Sequence, residues 1–226
     1  MSEWWTYSLR DLLLFSPGTY YRLFELYNIE WWPLQIFALA LGMIVLLLLR
    51  NGSDQARKAI AVILALCWLW LAWAYHWQRY AHINWAANYY AAAFALEALL
   101  LLWLCVLRRR PDRVEAGNKL RRSGMVLFVF ALLAYPLLAL LPGRSWTQAE
   151  LFGMAPDPTA LATLALLLPG RVRAAWWLLP IPVVWCLISG VTLWAMASPD
   201  FWLPPLAALL ATAMAISNAR KFSGQN

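Results

Sequence analysis

The residue whose position most demands a chemical explanation is Glu97. It interrupts an otherwise apolar stretch from Tyr80 to Leu107. At 1.5 Å per helical residue it stands about 15 Å from Arg108, near the middle of a hydrocarbon layer roughly 30 Å thick. An ionised carboxylate there costs several kcal/mol. Glu97 should therefore be neutral, hydrogen-bonded or in contact with water. Two readings follow: a group that exchanges a proton or holds a polar solute, or a neutral acid donating to a backbone carbonyl or to a hydroxyl such as Ser189 or Thr192. Ala86, Tyr90 and Ala93 continue its face outward as a small and polar stripe, while Leu99, Leu102 and Trp103 face elsewhere.

A second candidate is the run Phe152-Gly153-Met154-Ala155-Pro156-Asp157-Pro158-Thr159. Asp157 before Pro158 reads as an N-cap followed by a first-turn proline, with Thr159 and Thr163 one turn apart. From Asp157 to Leu168 the helix is only about 18 Å long, so it begins inside the bilayer after irregular backbone. Such backbone survives at depth only when buried in protein or lining a cavity, and a half-helix start offers a partial positive end to an anionic or carbonyl group. The simpler alternative is a short helix reached through a dipping loop.

A third group clusters at helix ends: Tyr75-His76-Trp77, Arg79, His82, Asn84 and Asn88, with Gln35 a turn inside the first span. His76 and His82 are six apart, not the four of a helical metal pair, so hydrogen bonding or pH sensing in a vestibule is expected instead. Together these residues outline an outward-facing cavity between Gln35, His76, Asn84 and Tyr90, with Glu97 at its floor and the break at Asp157 and Thr159 beside it. No metal, cofactor or catalytic set is expected. There is no GxSxG, HExxH or Walker motif. Cys67, Cys105 and Cys186 lie singly in apolar runs, and the lysines, Lys58, Lys119 and Lys221, lie outside the spans, so no Schiff base can form in the bundle.

The elements that must hold these groups follow from composition. Of 226 residues 63% are hydrophobic and 13% charged, against about 25% charged in soluble domains, so lipid is the expected solvent. Six segments are long enough to cross: Trp31–Leu49, Ala59–Gln78, Tyr80–Leu107, Ser123–Gly143, Ala174–Pro199 and Phe201–Ala219. Between the fourth and the last two lies 151–170, which is span-length only if Asp157 is admitted. If it crosses, the loops on one face carry Arg50, Arg57, Lys58, the seven basic residues from Arg108 to Arg122, Arg171, Arg173, Arg220 and Lys221. That is 14 of the 18 Lys and Arg, leaving Arg10, Arg22, Arg79 and Arg144 opposite. Positive loops stay in the cytoplasm. The sequence therefore predicts an all-α polytopic bundle of about seven spans, or six if 151–170 is re-entrant, with the N-terminus outside and the C-terminus cytoplasmic.

We read one integral membrane domain over 1–226: an interfacial segment at 1–30, the bundle at 31–219 and a tail at 220–226. The 1–30 segment is either two amphipathic pieces broken at Pro17-Gly18 and lying in the interface, or a lid on the outer helix ends. No removable signal peptide is expected. The net charge of +7 sits in short loops between apolar runs, which suits orientation in a bilayer and not nucleic acid.

Tryptophan and proline set depth. Trp4, Trp5, Trp31, Trp32, Trp77, Trp85, Trp146 and Trp202 map to the outer boundary, and Trp103, Trp176 and Trp177 to the inner one. Trp68, Trp70, Trp73, Trp185 and Trp194 fall within the layer, where each indole N–H needs an acceptor. Pro136, Pro180 and Pro182 should kink their spans. Small residues at Ala38 and Gly42, and at Ala207, Ala211 and Ala215, suggest that the first and last spans pack centrally.

Tyr27-Asn28 with Trp32-Pro33-Leu34-Gln35, then Tyr75-His76-Trp77 with Ile83-Asn84, then Phe152-Gly153 leading into Pro156-Asp157-Pro158-Thr159, form an ordered set over nearly the whole chain. That set resembles a family of bacterial integral membrane proteins defined only as a domain of unknown function. The resemblance implies a bacterial inner-membrane location, and members of the family are sometimes labelled transporter permeases. Cysteine often stands in that family where this chain has Asp157. The expected function is a small permease for a proton or polar solute. The rival is a non-transporting accessory subunit that packs on other membrane proteins or on a second copy.

Overall fold

A computed structural model describes residues 13–107, 118–140, 143–168 and 176–223, with side chains excepted at 118 and 218–223. Every regular element among them is helical. Helix α1 is Pro17–Glu30, started by Ser16, whose Oγ accepts from the Thr19 N–H at 3.1 Å, with Pro17 in the first turn. Helix α2, Leu34–Asn51, stops at Gly52, which takes the left-handed conformation (φ 65°) that glycine adopts without strain. Helix α3, Asp54–Trp70, is capped by Ser53 and widens into a π-helical stretch, Leu71–Trp77. Helix α4 is Ala87–Leu101, continued by a π-helical Leu102–Leu107. Helix α5 is Asn118–Val129, prolonged as a π-helical Phe130–Ala134 and then a tighter 3₁₀ stretch, Tyr135–Leu140. Helices α6, α7 and α8 are Pro156–Leu167, Pro180–Ala195 and Leu203–Ser223.

Among the described residues, five apolar helical segments are long enough to cross a membrane: Leu34–Asn51, Asp54–His82, Ala87–Leu107, Lys119–Leu140 and Trp176–Ala195. They fall on five of the segments expected from sequence. The sixth corresponds to a shorter apolar helix, Leu203–Ser217. The 151–170 segment forms the 12-residue α6. The Arg121 guanidinium donates to the Leu49 carbonyl at 3.0 Å, so the end of α2 and the start of α5 share one end of the bundle. The 108–117 and 169–175 connections, with six of the 14 basic residues counted on that face, lie outside the described residues, as do residues 1–12 and the end of the tail.

The prolines act where expected, but differently. Pro136 falls at the start of the 3₁₀ winding of α5, whereas Pro180 opens α7 after a bend at Leu179, so there the helix is restarted instead of kinked.

The centre is occupied by α6, and this corrects the expected central packing of the first span. Residues Pro156 to Ala165 are all buried, because α5, α7, α8 and α3 pack around this helix. Helix α2 is peripheral: it lies along α3 with only Gln35, Ala38, Gly42 and Val45 buried. Its glycine still permits a close approach, since a Cβ on Gly42 would come within 2.3 Å of the Leu132 Cδ1. Helices α7 and α8 also approach closely, where Gly190 faces the ring of Pro205. At the end of the bundle opposite Leu49, α1 lies as a lid. It buries Tyr20, Leu23, Phe24 and Tyr27, with Phe24 stacked on Tyr75 at 5.1 Å, and Asn28 donates to the carbonyls of Thr147 and Ala149.

Candidate functional site

The irregular approach to α6 is held by its own threonines. Gly153 adopts φ 75°, and its N–H donates to the Thr159 Oγ1 at 2.8 Å, while that hydroxyl donates to the Ala155 carbonyl at 2.8 Å. Thr163 donates to the Thr159 carbonyl and accepts the Trp68 indole at 2.9 Å. Thr159 is thus the staple of the break, its hydroxyl both accepting and donating. The N-cap is Ala155, with Pro156 next, so Asp157 sits within the first turn and does not cap it. This correction has a physical reason: the fixed φ of Pro156 suits the first helical position, which makes Ala155 the cap and carries Asp157 into the first turn.

Freed from capping, the Asp157 carboxylate turns sideways and is received by three donors from two other helices. Trp185 Nε1 donates to Oδ1 at 2.7 Å, and Tyr135 and Ser189 donate to Oδ2 at 3.0 and 2.5 Å. An indole N–H can only donate, so at least Oδ1 is an acceptor. Ser189, proposed above as a partner for Glu97, serves Asp157 instead, and Thr192 donates to the Ile188 carbonyl.

Behind Trp185 stands His76. It is fully buried, and neither ring nitrogen has a hydrogen-bond partner. It is enclosed by rings: Phe94 at 4.3 Å between centroids, Trp185 at 5.0 Å, Tyr75 at 5.1 Å, Tyr90 at 5.9 Å and Tyr80 at 6.0 Å. The structure therefore brings together His76, Tyr90 and, through Trp185, Asp157. It assigns Gln35 and Asn84 local duties. Gln35 Nε2 donates to the Asn28 carbonyl at 2.7 Å, tying α2 to the lid, and the Asn84 Oδ1 accepts from the Ala86 N–H at 3.0 Å at the start of α4.

Glu97 points inward. The buried face of α4 is Ala87, Ala91, Phe94, Glu97, Ala98 and Leu101. The stripe of Ala86, Tyr90 and Ala93 expected on the Glu97 face is its half-buried flank, whereas Leu99 and Trp103 face outward as expected. Glu97 is fully buried and neither carboxyl oxygen has a partner.

A further polar cluster escaped the sequence reading. Arg144, only 7% exposed in its side chain, lies 3.2 Å from Asp200 and 3.6 Å from Glu150, with its guanidinium 4.3 Å above the Tyr21 ring. Ser198 donates to Asp200 at 2.5 Å and lies 3.0 Å from the Tyr21 hydroxyl. One cation thus joins the lid, the end of α5, the approach to α6 and the α7–α8 turn. Burial raises the Glu150 carboxyl well above its ordinary range, and the charge of Asp157 acts in the same direction against the pull of Arg144. The available signal was charge: between Arg122 and Arg171 the one cation is Arg144 and the acids are Glu150 and Asp157.

Fold and site together define an all-helical protein whose apolar helices are long enough to cross a membrane and whose interior holds acids and a histidine. The chain belongs to the family described as Family of unknown function (DUF6064), whose model matches residues 18–226. No curated protein and no solved structure matches it.

Proposed function

We propose that the chain is a small permease of the bacterial inner membrane that moves a proton or a small polar solute. In this reading it makes seven crossings, with α1 and the N-terminus outside and the C-terminus cytoplasmic. The excess of Lys and Arg in alternate loops supports the orientation. Residues 151–155 and α6 complete the seventh crossing, the first five as irregular backbone enclosed in protein, a setting in which such backbone is tolerated at depth. The observation that carries the function is Glu97, enclosed in the bundle with both oxygens unpartnered. A group so costly in hydrocarbon is a marker of ion or proton handling. With α1 seated and His76 enclosed, the arrangement fits a closed state.

The test is reconstitution into liposomes holding a pH-sensitive dye, with an imposed proton gradient. The parent protein should dissipate it, and Glu97→Gln should slow the flux by about tenfold or more. Equal flux in both removes Glu97 from the mechanism. The filling of the space beside His76 by Phe94, Trp185 and Tyr80 favours a second reading, a non-transporting accessory subunit. That reading expects no flux from the parent and a stoichiometric membrane-protein partner on purification in mild detergent.

A further inference from the structure

Asp157 and Glu97 are both buried acids, and the fold treats them oppositely. Three donors on α5 and α7 converge on Asp157. Glu97 receives none, and His76, one helix away, likewise keeps both nitrogens unpartnered. Natural interiors leave few buried polar atoms unpaired, so four on two neighbouring side chains call for a cause.

His76 touches the Phe94 ring at 4.3 Å, and Glu97 stands one turn from Phe94 on the same buried face of α4, about 5 Å further along the helix. His76 itself projects from the π-helical stretch Leu71–Trp77, a distortion frequent at functional sites. The titratable groups facing it are Tyr75, Tyr80 and Tyr90, with Asp157 across Trp185.

Resting on the permease reading, we propose that His76 relays protons to Glu97 through water bound at their unpartnered atoms, past the ring of Phe94. One imidazole nitrogen takes a proton from water on the α1 side. The proton on the other nitrogen leaves to water and reaches a Glu97 carboxylate that has released its own proton toward the opposite side. One proton enters and one leaves, and the imidazole returns to its neutral form. Phe94 is the separating ring, and its displacement opens the step.

The test needs no gradient. In detergent, the carboxylic C=O infrared band of Glu97, identified by its loss in Glu97→Gln, shifts when the protein is moved into D₂O, and the rate of that shift reports proton exchange. His76→Phe fits the ring-lined enclosure and should slow the shift by about tenfold or more, the scale of one lost hydrogen-bonding step. Phe94→Leu should speed it. An unchanged rate in both variants, or a band that does not shift in the parent, overturns the relay. Thermal unfolding of each variant checks folding, and the Phe94→Leu acceleration remains a test if His76→Phe does not fold. Exchange that depends on His76 in a protein without flux would refute the permease and keep the relay; flux with exchange indifferent to His76 would do the reverse.

Discussion

Removing the acid of α6 should destabilise the bundle far more than neutralising it. In Asp157→Ala, three donors lose their acceptor at once. The Ser189 hydroxyl can turn to the backbone carbonyl one helical turn back, as Thr192 already does to Ile188, and Tyr135 can rotate its O–H. The Trp185 indole is 5% exposed and cannot be redirected, so it is left orphaned at about 1–3 kcal/mol. Two lost hydrogen bonds and a small cavity add to this, and relief from burying a charge offsets part of it. The net expectation is about 3 kcal/mol, or on the order of 10 °C in unfolding temperature for a chain of this size. Asp157→Asn keeps an oxygen for Trp185 and should lose only about 1–2 kcal/mol. Cys67 and Cys186 are buried and supply the assay: with Cys105 replaced by serine, a thiol-reactive fluorophore reports their exposure on heating. Adding Trp185→Phe to Asp157→Ala should cost less than the sum of the two changes, since the orphan is removed with its acceptor. An alanine variant as stable as the parent, or an asparagine variant less stable than the alanine one, would refute the cradle.

The same assay separates the two close glycine contacts. A Cβ on Gly190 would lie 2.1 and 2.7 Å from the Pro205 ring and 3.1 Å from the Phe201 carbonyl oxygen, none of which can swing aside. Gly190→Ala should therefore cost about 1–3 kcal/mol, whereas Gly42→Ala meets only the end of the Leu132 side chain and regains about 0.5–1 kcal/mol of helix propensity. Equal losses would contradict the rigid α7–α8 contact. For pH, the raised Glu150 carboxyl means that the folded state holds a proton the unfolded chain has released. Its contribution is therefore present at low pH and is lost as pH rises from the ordinary carboxyl range to the folded value. Glu150→Gln should flatten that decline in unfolding temperature, and a decline identical to the parent's would assign it to another group.

How far the sequence reaches is decided by the range of each signal. Span positions follow from runs of about 20 apolar residues, a local property, and they recur in the structure. The need of buried indoles for acceptors is local too: Trp68 donates to Thr163, Trp70 to Tyr27 and Trp185 to Asp157, although none of those partners could be named in advance. What stayed hidden is azimuth. Helix α6 is buried on every side, so its sequence shows no apolar face to orient it, and the most central element read as the weakest span. The donors to Asp157 stand 22, 28 and 32 residues away, and Asp200 stands 56 from Arg144. Spacing along one helix carries no information about such meetings.

The π-helical stretch explains why the histidine lies in the core and not in a vestibule at the helix end. On a regular α-helix successive residues point about 100° apart, so five of the six residues from Leu71 to His76 would not share one side, and a position beside Trp77 at a helix end reads as vestibule. From Leu71 to His76, only Trp73 is exposed, while Leu71, Ala72, Ala74, Tyr75 and His76 are all buried. Widening the turn by a residue turns a wider arc inward, and it does so at the level where α1, α4 and α7 supply the rings Phe24, Phe94 and Trp185. A helix gains nothing in backbone energy from that poorer geometry. Its return here is a histidine placed inside the bundle next to the face that bears Glu97, which is the arrangement the relay requires and which packing alone would have met with a leucine.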